Sequence, residues 1–396
     1  MDAKHLLQTA QGLAPELTAI RRHLHSIPEL GFELKQTLEY VSGKLTELGI
    51  DYQPCGKAGI VATVGGKKPG KVFLLRADMA ALPMAEESSE EFASTNGKMH
   101  ACGHDMHTAT LLGAAKLLKE NEDAICGTVK LMFQPAEEIF SGAADMIEAG
   151  VLENPKVDVA MMAHVFSGLP MPTGCIVVLD GISNAAADMI TIKIQGKGCH
   201  GSMPHTGIDP LLAGAQILVA LLEIHSRELS VSDEVALTFG TFHAGVAFNV
   251  IPDTAVITGT LRTFNEEVRA KVKQRLEEIV AGLAKAFRVE AEVEFTNGCP
   301  VLDNDSDLSA CVTSYLKEMV DSKELFPLKN MKGAGSEDFA FVSQKVPAVM
   351  LGIPASVTDS TPYPQHHPKV RFDESVLPLG AAAFAYSAIR WLEEHN

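Results

Sequence analysis

A chain of 396 residues exceeds the size at which a single hydrophobic core usually stops growing, so two domains are expected. Hydrophobic residues make up 46% and charged residues 21%, which is globular composition with little room for long disorder. Lys plus Arg number 33 against 50 Asp plus Glu, and a formal charge of −17 repels phosphate backbones and anionic lipid, so neither nucleic acid nor a membrane is an expected partner.

The N-terminal residues lack the charged-then-apolar pattern of a signal peptide, and the apolar run 211–222 falls short of the roughly 20 residues that span a bilayer, so the expected location is cytoplasmic. Seven widely scattered cysteines argue against a disulfide framework. In chain order, Leu34, Leu38, Val41, Leu45 and Leu48 recur at steps of three or four, which predicts a helix over 34–49. The run 71–79 is apolar with a polar end, as expected of a buried parallel strand, and 105–119 is helical. Residues 128–135 and 158–165 again predict buried strands, so the first half is an α/β layer with a mostly parallel sheet.

Near residue 183 the pattern changes. Residues 189–198 alternate apolar and polar, a helix follows at 208–227, then strands at 235–245 and 254–263 and a charged amphipathic helix at 266–287. That order suggests a small α+β domain with one covered sheet face. The α/β pattern then resumes, with a strand at PAVMLGIP and a helix at 374–394. The expectation is a discontinuous α/β catalytic domain, 1–183 and 298–396, interrupted by an inserted α+β satellite domain, 184–297.

Five polar clusters fall in the α/β segments, four of them at or beyond the C-terminal ends of predicted strands, where open α/β sheets place their ligands. Arg76 and Asp78 close the strand 71–79; a buried ion pair explains them as well as a site does. His100, Cys102, His104, Asp105 and His107 crowd into eight residues, and thiolate plus imidazole is the preferred donor set of zinc-like metals. Glu137 and Glu138 follow Gln134-Pro135, where one carboxylate suits ligation and its neighbour suits deprotonation of water; a solvated helix start is the plain alternative. His164 ends the strand 158–165, and His366-His367-Pro368 lies in a later loop. Donors from four separate segments suit a preformed site for two cations, which together hold a hydroxide and polarise a carbonyl. Cysteine with imidazole favours zinc, and the carboxylates also admit manganese, cobalt or nickel.

Taken together, HLHSIPELGFE (23–33), RADMAALP (76–83), MHACGHDMH (99–107), QPAEE (134–138), GKGCHGSMPH (196–205), NVIPD (249–253), GTLRTF (259–264), GSEDF (335–339) and HHP (366–368) resemble the M20 family of metallohydrolases, in its branch of N-acyl-amino-acid and indole-acetyl-amino-acid amidohydrolases. The resemblance spans almost the whole chain. It implies metal ligation by Cys102, His104, Glu138, His164 and His366, with Glu137 as general base. It further implies that His200 stabilises the tetrahedral oxyanion when the domains close, and that Asn249 and Arg262 hold the substrate. A homodimer or higher homo-oligomer formed through the satellite domain is implied as well. The implied reaction is hydrolysis of an N-acyl-L-amino acid to a carboxylate and a free amino acid, and a guanidinium at Arg262 suits bidentate capture of a free α-carboxylate.

One position departs from the family pattern, which usually has Asp where this chain has Ala80. In related branches that carboxylate orients a metal ligand, and losing such support typically costs about 10–100-fold in metal affinity or activity. Natural divergence with Asp78 taking over, or an engineered inactivation, both account for it. Two rival functions therefore stay open: a dipeptidase or aminopeptidase on the same scaffold, and a catalytically silent metal-containing binding protein.

Overall fold

The computed structural model describes residues 2–358 and 361–396. The chain forms two compact units. The first runs to Ser183 and takes in Asp303–Met331 and Glu337–Asn396; the second comprises Asn184–Leu302 and Lys332–Ser336. The second unit thus runs past residue 297, because its last strand, Glu290–Cys299, is still paired at Cys299 with Ala187.

Nine strands form one mixed sheet in the first unit. Its centre is parallel: Val72–Asp78 pairs with Thr128–Gln134 on one side and Val159–Phe166 on the other, and Ala348–Pro354 pairs with Val159–Phe166. These strands are buried almost throughout, which is why they read as unbroken apolar runs rather than alternating ones. The flanks depart from the parallel expectation: Gly59–Gly65 runs antiparallel to Thr128–Gln134 and to Tyr52–Cys55, and Ile176–Asn184 runs antiparallel to Ala348–Pro354. A short hairpin turn at Gly56 imposes the pairing of Gly59–Gly65 with Tyr52–Cys55, since a parallel neighbour would need a long crossover.

Helices His104–Glu120 and Leu377–Glu394 approach each other through small residues. A Cβ on Gly113 would lie 2.9 Å from both Ala381 Cβ and Leu17 Cδ2, and one on Gly380 would lie 2.8 Å from Thr110 Cγ2. The C-terminal helix, taken as Glu374–Glu394, is long and apolar enough by composition to cross a membrane, yet 83% of its apolar window is buried inside the protein. Its apolar length therefore serves the core between the sheet and helix His104–Glu120.

The second unit is a four-stranded antiparallel sheet in the order Glu290–Cys299, Ala186–Gln195, Thr254–Thr263, Val235–Ala244. Ile190, Ile192 and Ile194 alternate inward and meet Ile217 and Leu221 of helix Pro210–Glu223 and Leu276 and Val280 of helix Glu266–Phe287. Asp209 and Asn265 cap these helices by accepting from the first free backbone N–H groups.

The close helix contact at Gly113 yields a prediction. Gly113→Val should destabilise the protein by about 1–3 kcal/mol through overpacking. That outweighs the fraction of a kcal/mol, about 0.5, that a helix gains on losing a glycine. Urea unfolding of parent and variant measures the difference.

Candidate metal centre

Gly103 makes the turn that brings two donors together. It sits at φ 97°, and a Cβ there would come within 2.5 Å of Val165 Cγ2, so Cys102 and His104 are joined by the residue that fits. His104 then begins its helix at the C-terminal edge of the parallel strands. On the neighbouring strand Gln134 is the last residue, and Glu137 and Glu138 follow on a single 3-10 turn rather than on an α-helix. Ala136 and Phe140 on either side adopt left-handed φ of 54° and 50°, so the backbone is held in sparsely populated conformations where it presents the two carboxylates. A Cβ at Gly142 would lie 1.6 Å from the Pro135 carbonyl oxygen, which shows how tightly this turn closes.

Two histidines are fixed in the same tautomer. His104 Nδ1 donates to the Ala80 carbonyl at 2.6 Å, and His164 Nδ1 donates to the Val165 carbonyl at 2.7 Å. Each is left with a bare Nε2 lone pair, as a metal-ligating imidazole requires. His164 Nε2 lies 3.6 Å from Cys102 Sγ. His104 Nε2 lies 3.7 Å from Glu138 Oε1 and 3.9 Å from Glu137 Oε2. His366, whose backbone N–H donates to the Ala101 carbonyl, brings its Nε2 to 3.6 Å from the same Glu138 Oε1. Cys102 belongs to two triplets of donor atoms that each fit within 4.8 Å, one with His104 and His164 and one with Glu138 and His366.

Cys102, His104, Glu137, Glu138, His164 and His366 therefore converge. His107 does not join them as a donor: its Nδ1 donates to Asp78 Oδ1 at 2.6 Å and its Nε2 accepts from Val165 N at 2.9 Å, so both nitrogens are engaged. His100 and Asp105 fall on the other side of the motif. Asp105 accepts from Arg21 Nε at 2.7 Å and meets His25 Nδ1 at 2.8 Å, and the His100 ring lies tilted with its centroid 6.2 Å from that of His25. The anchor for His104 is the backbone carbonyl of residue 80, which an alanine supplies as well as an aspartate, so the departure at Ala80 leaves that support in place.

The second unit carries the remaining three. His200 is exposed, its Nδ1 accepting from Ser202, and it lies opposite Val250 in a two-residue ladder beside Asn249. Arg262 is half-buried in the strand Thr254–Thr263 and donates to Ser336 Oγ.

Sequence reasoning gave no site role to Glu337 and Asp338, which lie within 4.8 Å of a Glu137 oxygen. The signal was visible as two adjacent acids in GSEDF, an apolar context where carboxylates are rarely buried without a partner.

The electrostatics test whether the donor set fits cations. Asp78, Glu337 and Asp338 gather around the Arg76 guanidinium, and Glu137 and Glu138 lie alongside with no cation of their own among the described residues. Burial, then Glu337 and Asp338, pushes Glu137 well above the usual carboxylate range, and burial, then Asp78, pushes Glu138 up to about 8. Burial, then Glu138, pushes the Cys102 thiol up, while burial holds His104 down at about 4. His104 Nε2 and Glu138 Oε1 are buried with no hydrogen-bond partner among the described residues. Burial, reinforced by neighbouring carboxylates, drives Glu137, Glu138 and Cys102 toward their uncharged forms, burial above all keeps His104 neutral, and two dications would offset the cost of ionising the acids. The residues fit the group.

The comparisons with known proteins agree. The profile of Peptidase family M20/M25/M40 matches residues 74–390. The chain is 38% identical over 386 residues to the N-acetyl-L-cysteine deacetylase of Bacillus subtilis, covering 97% of this chain and 90% of that protein. It is 41% identical over 309 residues to the N-acyl-L-amino acid amidohydrolase of Geobacillus stearothermophilus, covering 77% and 82%. Among solved structures, a dinuclear metal-binding peptidase of the M20 family from Bacillus subtilis superposes with a TM-score of 0.80 at 32% identity, covering 96% of this chain and 99% of that one. The fold and site define a metal-dependent amide hydrolase. The chain belongs to peptidase family M20/M25/M40.

The raised carboxylate sets a pH dependence. Glu138 ionises near its ordinary 4.5 when unfolded and at about 8 in the folded metal-free protein, so the folded state holds an extra proton between those values. Above about pH 6.5, where His104 is neutral both folded and unfolded, stability of the metal-free protein should fall toward pH 8, with Glu138 contributing at most about 1.4 kcal/mol per pH unit. Loading with a divalent cation should remove this decline, as urea unfolding across that range will show.

Proposed function

We propose that the protein hydrolyses the amide bond of N-acyl-L-amino acids, giving a carboxylate and a free amino acid, with two divalent cations held by Cys102, His104, Glu138, His164 and His366. The observation that carries this reading is the pair of histidines tethered through Nδ1 to backbone carbonyls, with both Nε2 atoms aimed at Cys102 and the Glu137–Glu138 turn. Cys102, common to both donor triplets, is the natural shared ligand. When bound, the cations would bring the pKa of water toward about 7 and polarise the scissile carbonyl. Zinc is the leading choice for a thiolate and imidazole set, with manganese, cobalt and nickel as rivals.

Glu137 is assigned the proton transfers. It is buried, 3.9 Å from His104 Nε2, and its proton affinity is kept high by burial and by Glu337 and Asp338. A carboxylate in that setting takes the proton from the attacking water and returns it to the leaving amine. His200 is assigned to the oxyanion, and Asn249 and Arg262 to the substrate's backbone and carboxylate. The names of the Bacillus deacetylase and the Geobacillus amidohydrolase support the N-acyl-amino-acid class.

The reading extends to a second copy of the chain. Strand Val235–Ala244 is an edge of the second unit's sheet, and helix Pro210–Glu223 exposes Leu211, Leu212, Val219 and Leu222. An unpaired strand edge beside an apolar helix face suits isologous pairing. Leu222→Glu with Val219→Lys should shift the protein to monomer in sedimentation velocity.

Zinc- or manganese-loaded protein should release free amino acid from N-acyl substrates and leave dipeptides with a free ammonium largely intact; the reverse preference would sink the reading. Glu137→Gln should lower kcat by about 10²–10⁴-fold with metal content unchanged. Arg262→Ala should weaken substrates bearing a free α-carboxylate by the value of a charge-assisted hydrogen bond, about 1.5–3 kcal/mol in kcat/KM, and should spare their amides.

A further inference from the structure

Arg76 lies in the middle strand of the sheet with its side chain wholly buried, and every one of its N–H groups has an acceptor. Nε donates to Gln134 Oε1 at 2.9 Å. Nη1 donates to Asp78 Oδ2 at 2.8 Å and reaches Met162 Sδ at 3.6 Å. Nη2 donates to Asp338 Oδ1 at 3.0 Å and lies 2.9 Å from Glu337 Oε1. A desolvated planar fork with all five N–H groups engaged cannot turn or slide without breaking a charge-assisted bond, so it fixes its partners relative to one another.

Those partners lead to the metal donors. Asp78 takes Arg76 on Oδ2 and His107 on Oδ1, and its Oδ2 lies 3.6 Å from His104 Nε2. His107 in turn accepts from Val165 N, the residue next to His164. On the opposite side Glu337 is itself held, accepting from Phe339 N at 3.0 Å while meeting Arg76.

We propose that Arg76, anchored by Glu337, is a positioning residue of the metal centre: it sets the Asp78 carboxylate against His104 and His107 and so fixes where the donors stand. This rests on the metal-dependent reading above. A lysine ammonium reaches one or two of these acceptors and cannot span the set, so charge alone does not replace the fork.

Titration calorimetry of the metal-free protein with zinc, repeated with manganese under chelator competition, tests this without any activity readout. The variants are Arg76→Lys, Glu337→Ala and Glu337→Gln, each checked for folding by near-ultraviolet circular dichroism. Arg76→Lys should bind at least one cation about 10–100-fold more weakly than the parent. Glu337→Ala should shift in the same direction, and Glu337→Gln, which keeps an oxygen for Nη2, should retain the parental affinity. A folded Arg76→Lys with both parental affinities overturns the inference. If Arg76→Lys does not fold, the Glu337 pair decides: equal affinities in Ala and Gln, both weak or both parental, show that position is not what matters. A parent that binds no cation overturns the metal-dependent reading and this inference with it, a failure distinct from the others.

Discussion

The desolvation of several carboxylates in one place is the constraint on which the rest of this structure depends. An isolated buried carboxylate is so costly that it neutralises instead, and here five of them share the interior with a thiol and a single guanidinium. Arg76 offsets part of the excess and has no N–H left to offset more. What remains is a concentrated negative field with imidazole lone pairs pointing into it. That arrangement is unfavourable as a piece of core packing and favourable as a cation site. The fold tolerates it because the surrounding layer of sheet and helices is large and almost uniformly apolar.

The α/β layer does the positioning. Parallel strands deliver their C-terminal ends to one edge, so Asp78, Gln134 and His164 arrive side by side from sequence positions far apart. The turns that follow are then shaped by steric limits rather than by the donors themselves. Gly103 allows the close passage by Val165, Gly142 lets the Pro135 carbonyl sit where a side chain would be, and Ala136 and Phe140 hold left-handed conformations on either side of the two glutamates. Backbone carbonyls at Ala80 and Val165 finish the work by fixing the histidine tautomers. This division leaves His104 anchored at position 80 whichever side chain stands there, because what His104 uses is the peptide.

Much of this was legible in the sequence, for identifiable reasons. Fully buried strands produce unbroken apolar runs, so the centre of the first sheet and the ends that carry Asp78, Glu137 and His164 could be placed from composition alone. The alternation over 189–198 announced a sheet with one covered face, as found in the second unit. The metal donors stood out because Cys102 and His104 are close in sequence and chemically unusual there. Other features were hidden. The antiparallel hairpin of Tyr52–Cys55 and Gly59–Gly65 depends on turn geometry at Gly56, which a single glycine does not specify. The turn bearing Glu137 and Glu138 resembled a helix start, and only its left-handed neighbours separate the two. Glu337 and Asp338 were hardest, since their importance comes from meeting Arg76 across more than 250 residues of chain, a contact that no local pattern records. His100 and His107 show the opposite error of emphasis: a dense motif draws the eye to every histidine, while His107 is engaged by Asp78 and Val165 and His100 is packed near the His25 ring.

In the proposed function, Cys102, His104, Glu138, His164 and His366 hold two cations on which amide hydrolysis depends. The most direct measurement is the metal content of protein equilibrated with zinc or manganese, taken alongside hydrolysis of an N-acyl amino acid by the same samples. Two ions per chain are expected, with hydrolysis that disappears on chelation and returns on reloading. Undiminished hydrolysis by protein stripped of metal, or a folded protein that takes up no divalent cation, would contradict it.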